Sequence, residues 1–258
     1  MKITACGATH RGNIRKHNED NIYIDGSFRH DLSQDNVLIK SKRETGPYTY
    51  AVFDGLGGEA CGEQASLIAA LGLKAVDERA SVGNVDTYIS TAHRAILQES
   101  VRKNARHMGT TAVAVHINEK RAMVFNVGDS RAYLFRNGNL MQLSKDHSVV
   151  QSMIDCGLMK ESERNTSRYA GELTQYIGMV TEEDIEPSAF VAEFKLNSGD
   201  CILLCSDGLS GELNDSEICD LLRINKDKTP DYIVATLLKK VVDGAARDNV
   251  SAVICKIE

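Results

Sequence analysis

The stretch Val124-Phe125-Asn126-Val127-Gly128-Asp129-Ser130-Arg131-Ala132-Tyr133-Leu134-Phe135-Arg136-Asn137-Gly138 decides the fold class. Two runs rich in β-branched and aromatic residues, 122–127 and 132–135, read as strands. Each is followed by a dipeptide that tolerates the positive φ of a tight turn, Gly128-Asp129 and then Asn137-Gly138, so two successive hairpins are predicted. Working outward, apolar runs at 3–9, 48–53, 110–117, 201–205 and 250–257 read as further strands. Between these groups, Val85, Tyr88, Ile89, Ala92 and Ile96 share one helical face, as do Val234, Leu237, Leu238 and Val241. The second of these helices is entered through Thr229 as N-cap, with Pro230 in its first turn. Asn214 with Glu217 reads as a capping box, and a short helix is expected to begin near Ser148. Strands cluster and helices pair instead of alternating one by one, which predicts a layered α+β fold. No repeat, low-complexity tract or proline-rich linker divides the chain, so residues 1–258 are expected to form a single domain.

The composition is that of a globular protein, with 42% hydrophobic and 26% charged residues. A net charge of -6 gives no general attraction to nucleic acid, and that partner is set aside. The longest apolar stretches, such as 67–73, are too short to span a bilayer, and the first residues lack the apolar run of a signal peptide. The seven cysteines form no C-x-x-C pair and several sit in apolar runs, as expected of reduced core residues. These features predict a cytoplasmic protein with no membrane partner.

The aspartates fall in a recurring place. Tyr50-Ala51-Val52-Phe53 runs into Asp54, Val124 to Gly128 into Asp129, and Ile202 to Ser206 into Asp207. Asp20 and Asp248 each stand just before a strand-like run. One Asp-Gly is more often a turn than a site. Five acidic residues placed at strand ends carry more weight, because a sheet brings such ends together and close carboxylates repel unless cations neutralise them. Oxygen donors without clustered His or Cys suit Mg²⁺ or Mn²⁺ better than Zn²⁺.

In order along the chain stand Arg15-Lys16-His17-Asn18-Glu19-Asp20-Asn21, Phe53-Asp54-Gly55-Leu56-Gly57-Gly58, Gly109-Thr110-Thr111-Ala112, Val127-Gly128-Asp129-Ser130-Arg131-Ala132-Tyr133, Asp146-His147-Ser148, Leu204-Cys205-Ser206-Asp207-Gly208-Leu209 and Arg247-Asp248-Asn249-Val250-Ser251. This ordered set resembles the metal-dependent protein phosphatases of the protein phosphatase 2C type, in their compact bacterial form, over nearly the whole chain. The resemblance implies a four-layer α-β-β-α sandwich, two antiparallel sheets flanked by paired antiparallel helices. It implies hydrolysis of phosphoserine and phosphothreonine by direct attack of metal-activated water. Asp54, Asp207 and Asp248 would hold a first Mn²⁺ or Mg²⁺. Asp54, the Gly55 carbonyl and, through water, Glu19 would hold a second, and Asp129 with Asp207 a third. Asp20 would orient the attacking water, and Arg15 would clamp the substrate phosphate, a task for which a guanidinium fork is suited. The partners implied are phosphorylated proteins and a serine/threonine kinase whose products are reversed. Residues 157–172 would form a flap beside the site, with Arg164 and Arg168 as candidates to meet phosphopeptides.

The chain departs from the family at several points. Leu56 stands where eukaryotic members have a histidine, so no side chain is assigned as general acid. Glu59 stands where bacterial members usually have histidine, Leu173-Thr174-Gln175-Tyr176-Ile177-Gly178 replaces Leu-Thr-Arg-Ala-Leu-Gly, and the segment 26–47 is longer than expected. Two rivals remain in view. Gly55-Leu56-Gly57-Gly58-Glu59-Ala60 fits the dinucleotide pattern G-x-G-x-x-A with Asp77 downstream, but Asp77 is expected to end the same helix, with no second strand before it. A catalytically weak pseudophosphatase that scaffolds phosphoproteins or a kinase is the non-enzyme reading, against which stands the full set of aspartates. C-x₅-R, D-x-D-x-[TV] and Walker loops are all missing.

Overall fold

The structure is a computed structural model, and it describes residues 1–57, 61–77, 84–105, 107–183 and 185–258. Gly58, Glu59 and Ala60 lie outside the described residues. In chain order the elements are β1 (Ile3–His10), β2 (Asn21–Ile24), β3 (Ser27–Phe28), β4 (Val37–Arg43), β5 (Tyr48–Phe53), β6 (Gly55–Leu56), α1 (Gly62–Asp77), α2 (Val85–Lys103), β7 (Gly109–Thr110), β8 (Ala112–Asn118), β9 (Arg121–Val127), β10 (Arg131–Arg136), β11 (Asn139–Gln142), α3 (Val149–Asp155), a 3₁₀ turn (Glu161–Thr166), β12 (Phe190–Lys195), β13 (Cys201–Cys205), α4 (Asp207–Ser210), α5 (Asp215–Ile224), α6 (Pro230–Val242) and β14 (Val250–Ile257).

Two six-stranded antiparallel sheets result, one in the order β11-β10-β13-β14-β1-β4 and the other β12-β9-β8-β5-β2-β3. Side-chain alternation makes both faces of each sheet apolar. In β13, Ile202 and Leu204 point between the sheets, while Cys201, Leu203 and Cys205 point to the helices α4, α5 and α6. On the far side, Phe53, Ala112, Ala114, Phe125 and Val127 meet α1 and α2. Three apolar layers therefore separate helices, sheet, sheet and helices, giving the α-β-β-α order that the family resemblance implies. The capping expectations hold at both described starts: Asn214 and Glu217 form their reciprocal box, and Ser148 Oγ accepts from the Gln151 N–H ahead of α3. Thr229 and Pro230 begin α6, although the Thr229 side chain makes no cap hydrogen bond to the helix.

One hairpin is as predicted and one is not. Arg136 pairs with Asn139, so Asn137 and Gly138 are the whole turn, and their φ values of 54° and 80° are those of a type I′ hairpin. Gly128-Asp129 makes no hairpin. β9 pairs with β8 and β12, β10 pairs with β11 and β13, and the chain crosses from one sheet to the other between them. Gly128 is required there for close approach: with φ at 98°, a Cβ would stand 2.7 Å from that of Thr111. The expected strand 110–117 is also broken at Thr111, with Thr110 pairing to Gly55 and Ala112 beginning β8.

The long segment 26–47 supplies β3 and β4. β4 lies along β1 from Ile3↔Arg43 to Thr9↔Val37 and forms the outer edge of its sheet. Its run Lys40-Ser41-Lys42-Arg43 is too polar to read as a strand, yet it suits an edge that must resist pairing with other chains. Substituting Ile202→Ala between the sheets, where the side chain is fully buried, is expected to cost about 2–5 kcal/mol in denaturant unfolding. Val101→Ala on the exposed face of α2 should stay within about 0.5 kcal/mol of wild type.

Candidate active site

Register places the acidic residues at one end of both sheets. Asn21 pairs with Phe53, Val52 with Val113 and Ala112 with Val127, so Asp20, Asp54 and Asp129 leave the same end of the second sheet. In the first sheet Cys205 pairs with Ala252, and His10 with Val250, which sets Asp207 and Asp248 at the matching end. Arg15, Glu19, Asp54, Gly55, Leu56, Gly57, Thr111, Asp129, Leu173, Asp207 and Asp248 line one cavity of about 290 Å³ there. Asp129 and Asp207 also line an adjoining cavity of about 290 Å³ with Arg131, Asp146 and Arg164. A larger cavity, about 680 Å³, lies elsewhere, between β1, β4 and the start of α6, and holds none of the expected site residues.

The loops carrying these groups are pinned by neutral polar side chains. The Asn249 amide is a hub: its Nδ2 donates to the Arg11 and His17 carbonyls, and its Oδ1 accepts from the Glu19 N–H at 2.7 Å. Ser66 Oγ donates to the Glu19 carbonyl at 2.6 Å. Asp54 is fixed through Thr111, whose Oγ1 bonds its N–H at 3.1 Å and whose own N–H donates to its carbonyl at 2.8 Å. Thr111 Oγ1 in turn shares a 2.7 Å bond with Ser130 beside Asp129. Gly55 is forced by space, since a Cβ would stand 2.3 Å from the Gly62 carbonyl oxygen and 2.4 Å from that of Glu19. Asn249, Ser66, Ser130, Ser206 and Ser251 carry no sequence signal of their own beyond standing in or near the acidic runs.

Asp20 is fully buried. Its Oδ2 accepts from Ser251 at 2.6 Å and Ser206 at 2.9 Å, while Oδ1 has no partner. Burial, with the nearby negative charge of Asp248 and Asp207, outweighs those two bonds and pushes its carboxyl up to about 7. Burial also raises Asp54, Asp129 and Asp207, each aggravated by its neighbours: Asp20 and Asp207 for Asp54, Asp207 for Asp129, Asp248 for Asp207. Burial raises Glu19 too, against the opposing pull of Arg15. Arg15 Nη2 meets Asp248 Oδ2 at 2.6 Å at the cavity mouth, with both side chains partly exposed. Among the described residues no three His, Cys, Asp or Glu side chains are drawn up as a ready-made cage around one point. The all-oxygen lining, mutual repulsion and orphaned buried Oδ1 nevertheless fit hard divalent cations that keep much of their water and take few direct protein ligands.

The remaining expected residues fall differently. Arg164 donates to Asp146 at 3.2 Å and Gln151 at 2.6 Å and pairs with Glu161, tying the 3₁₀ turn of the 157–172 segment to Asp146. Asp146 is also held by Arg131 at 2.7 Å. Arg168 lines neither cavity; its guanidinium lies 4.6 Å from the centre of the Tyr169 ring. Asp77 ends α1, as the case against a dinucleotide site requires, and accepts hydrogen bonds from Tyr23 and Thr49.

Fold and site together define a two-sheet sandwich with an acidic cavity at one end of both sheets. The chain belongs to the protein phosphatase 2C family, whose family model matches residues 5–153. That span contains Asp20, Asp54 and Asp129 and stops short of Asp207 and Asp248. Over 225 residues it is 32% identical to the serine/threonine phosphatase stp of Listeria welshimeri, covering 83% of this chain and 81% of the relative. It is 29% identical over 239 residues to the serine/threonine protein phosphatase PstP of Mycobacterium tuberculosis, covering 89% of this chain but 45% of that longer protein. The crystal structure of the catalytic domain of PstP in complex with two manganese ions superposes with a TM-score of 0.79 at 26% identity, covering the whole of both chains.

The raised carboxyls make a signed prediction. A carboxyl with a raised folded pKa binds more protons folded than unfolded, so its contribution to stability falls as pH rises from its ordinary value of 3.8 to about 7. In metal-free protein, Asp20→Asn should gain on wild type by more than about 1 kcal/mol between pH 5 and pH 8 in chemical unfolding. A stability difference independent of pH would contradict the burial assigned to Asp20.

Proposed function

We propose that this chain is a metal-dependent phosphatase that removes phosphate from serine and threonine side chains of proteins. The observation that carries the reading is the arrival of Asp54, Asp129, Asp207, Asp248 and Glu19, from five separate segments, on one cavity, where burial and then neighbouring negative charge raise the Asp54 carboxyl. The manganese ions in the PstP structure support the same reading. Asp54, Asp207 and Asp248 would hold one Mn²⁺ or Mg²⁺; Asp54 and the Gly55 carbonyl, with Glu19 through water, a second; Asp129 with Asp207 a third, at the junction of the two cavities. Bound there, divalent cations supply Lewis acidity toward phosphate oxygens and activation of water for in-line attack.

The chain's own part is binding and orientation. Arg15, paired with Asp248 at the mouth, has only to swing off that carboxylate to offer its fork to two phosphate oxygens. This exchange is favoured once Asp248 is neutralised. Asp20 sits behind the ligands with one free oxygen and two serine donors, placed to accept a proton and hold its orientation. Leu56 lines the cavity where a histidine stands in eukaryotic relatives, and no histidine lines it among the described residues. No side chain is therefore assigned as the acid that protonates the leaving serine or threonine oxygen. Phosphorylated proteins and the kinase that produces them are the partners this activity requires. Seven cysteines without a disulfide fit a cytoplasmic setting, and no described helix is long and apolar enough to cross a membrane.

The deciding experiment is hydrolysis of p-nitrophenyl phosphate and a phosphothreonine peptide with and without Mn²⁺. Turnover should require the metal. Metal binding without turnover would instead favour a phosphoprotein-binding scaffold. Asp207→Asn and Asp248→Asn should each lower kcat by at least about 100-fold with the fold retained by circular dichroism. Arg15→Ala should mainly raise KM for the phosphopeptide, and unchanged kinetics would remove Arg15 from the site.

A further inference from the structure

Arg29 comes from the unusually long segment 26–47, yet it is 2% exposed and is the bulkiest fully buried side chain. Its guanidinium donates to four main-chain carbonyls. Nη1 reaches Asn18 at 2.7 Å and Asp20 at 2.8 Å, Nη2 reaches Leu32 at 2.9 Å, and Nε reaches Gln34 at 2.8 Å. One nitrogen thus spans the two carbonyls on either side of Glu19. The Arg29 backbone is itself locked to the next residue of that loop: its N–H donates to Asn21 Oδ1 at 2.9 Å, and its carbonyl accepts from Asn21 Nδ2 at 2.8 Å. Asp35, from the same segment, adds two further ties to Asn18. No ion pair to Arg29 occurs among the described residues; the guanidinium is spent on backbone oxygens. A buried charge is costly unless fully hydrogen-bonded, and here four of its five N–H groups are used.

We infer that Arg29 is a positioning residue: its guanidinium fixes the backbone of Asn18-Glu19-Asp20 so that the Glu19 and Asp20 carboxyls are presented to the divalent cations and their water. The inference rests on the metal-dependent reading above. Asn249 and Ser66 hold the Glu19 main chain itself, through its N–H and its carbonyl. Arg29 holds the carbonyls of the two residues flanking Glu19, points that Asn249 and Ser66 leave untied. Groups that orient ligands without touching the ion commonly change metal affinity or activity by about 10–100-fold when removed.

The test compares wild type with Arg29→Met and Arg29→Lys. Mn²⁺ affinity is measured by titration calorimetry on metal-free protein, kcat and KM with p-nitrophenyl phosphate, and amide hydrogen exchange across residues 15–21. Arg29→Met is expected to weaken Mn²⁺ binding about tenfold or more at one site, lower kcat with less change in KM, and speed exchange in that loop. Arg29→Lys keeps the charge but cannot span both pairs of carbonyls, and should fall between. A folded Arg29→Met with wild-type Mn²⁺ affinity and kcat overturns the inference while leaving the phosphatase reading intact. If Arg29→Met does not fold, wild-type Mn²⁺ affinity and loop exchange in Arg29→Lys have the same force. Wild-type protein that neither binds Mn²⁺ nor turns over sinks the phosphatase reading and, with it, the cation-directed role, whereas unchanged loop exchange in the variant sinks the positioning role alone.

Discussion

Repulsion among carboxylates is the constraint around which the rest of the molecule is arranged. Asp54, Asp129, Asp207 and Asp248 meet in a space of about 290 Å³, with Asp20 walled in behind them. Left to itself, such a group would spread apart or take up protons. It is held because each member stands at the end of a strand whose register is fixed by the core on both faces, so that a shift of one residue would turn apolar side chains out of all three layers. The sandwich is stiff enough to oppose a charge distribution that by itself favours disassembly, and bound cations would turn that opposition into affinity.

Uncharged donors do much of the local work. Asn249 joins the 11–19 loop to β14, Ser206 and Ser251 share Asp20, and Thr111 and Ser130 link Asp54 to Asp129. Such networks gain from a low-polarity surrounding when complete and lose heavily when one partner is missing. The division of labour is physical: carboxylates supply the field, and amides and hydroxyls set their directions without adding to the repulsion.

What could be read from residues alone follows the same division. The core strands were legible because burial on both sides demands unbroken apolar runs, as in Cys201 to Cys205 and Val250 to Ile257. The acidic residues were legible because they interrupt those runs at their ends. Gly128-Asp129 misleads because a tight turn and a crossing between sheets ask for the same permissive residues, and only the partner strands distinguish them. β4 hides because an edge strand is selected for charge and not for apolarity. The ties of Arg164 to Asp146 and Gln151 were not legible because those partners lie 18 and 13 residues away along the chain. Arg29 left no trace, since the backbone carbonyls that its guanidinium meets among the described residues have no letter in a sequence.

The crossing at Gly128 to Ser130 gives the acidic cavity two owners. Asp20, Asp54 and Asp129 ride on one sheet, Asp207 and Asp248 on the other, and the two groups meet at the end of the apolar layer, where Ser206 and Ser251 reach across to Asp20 Oδ2. That layer therefore governs how the two acidic groups are presented to each other. Residues such as Val113, Leu134 and Val253, packed in that layer, hold the two acidic groups in register with one another. Tuning of metal preference by evolution or by engineering could proceed through the hydrocarbon interior, leaving every charged residue untouched.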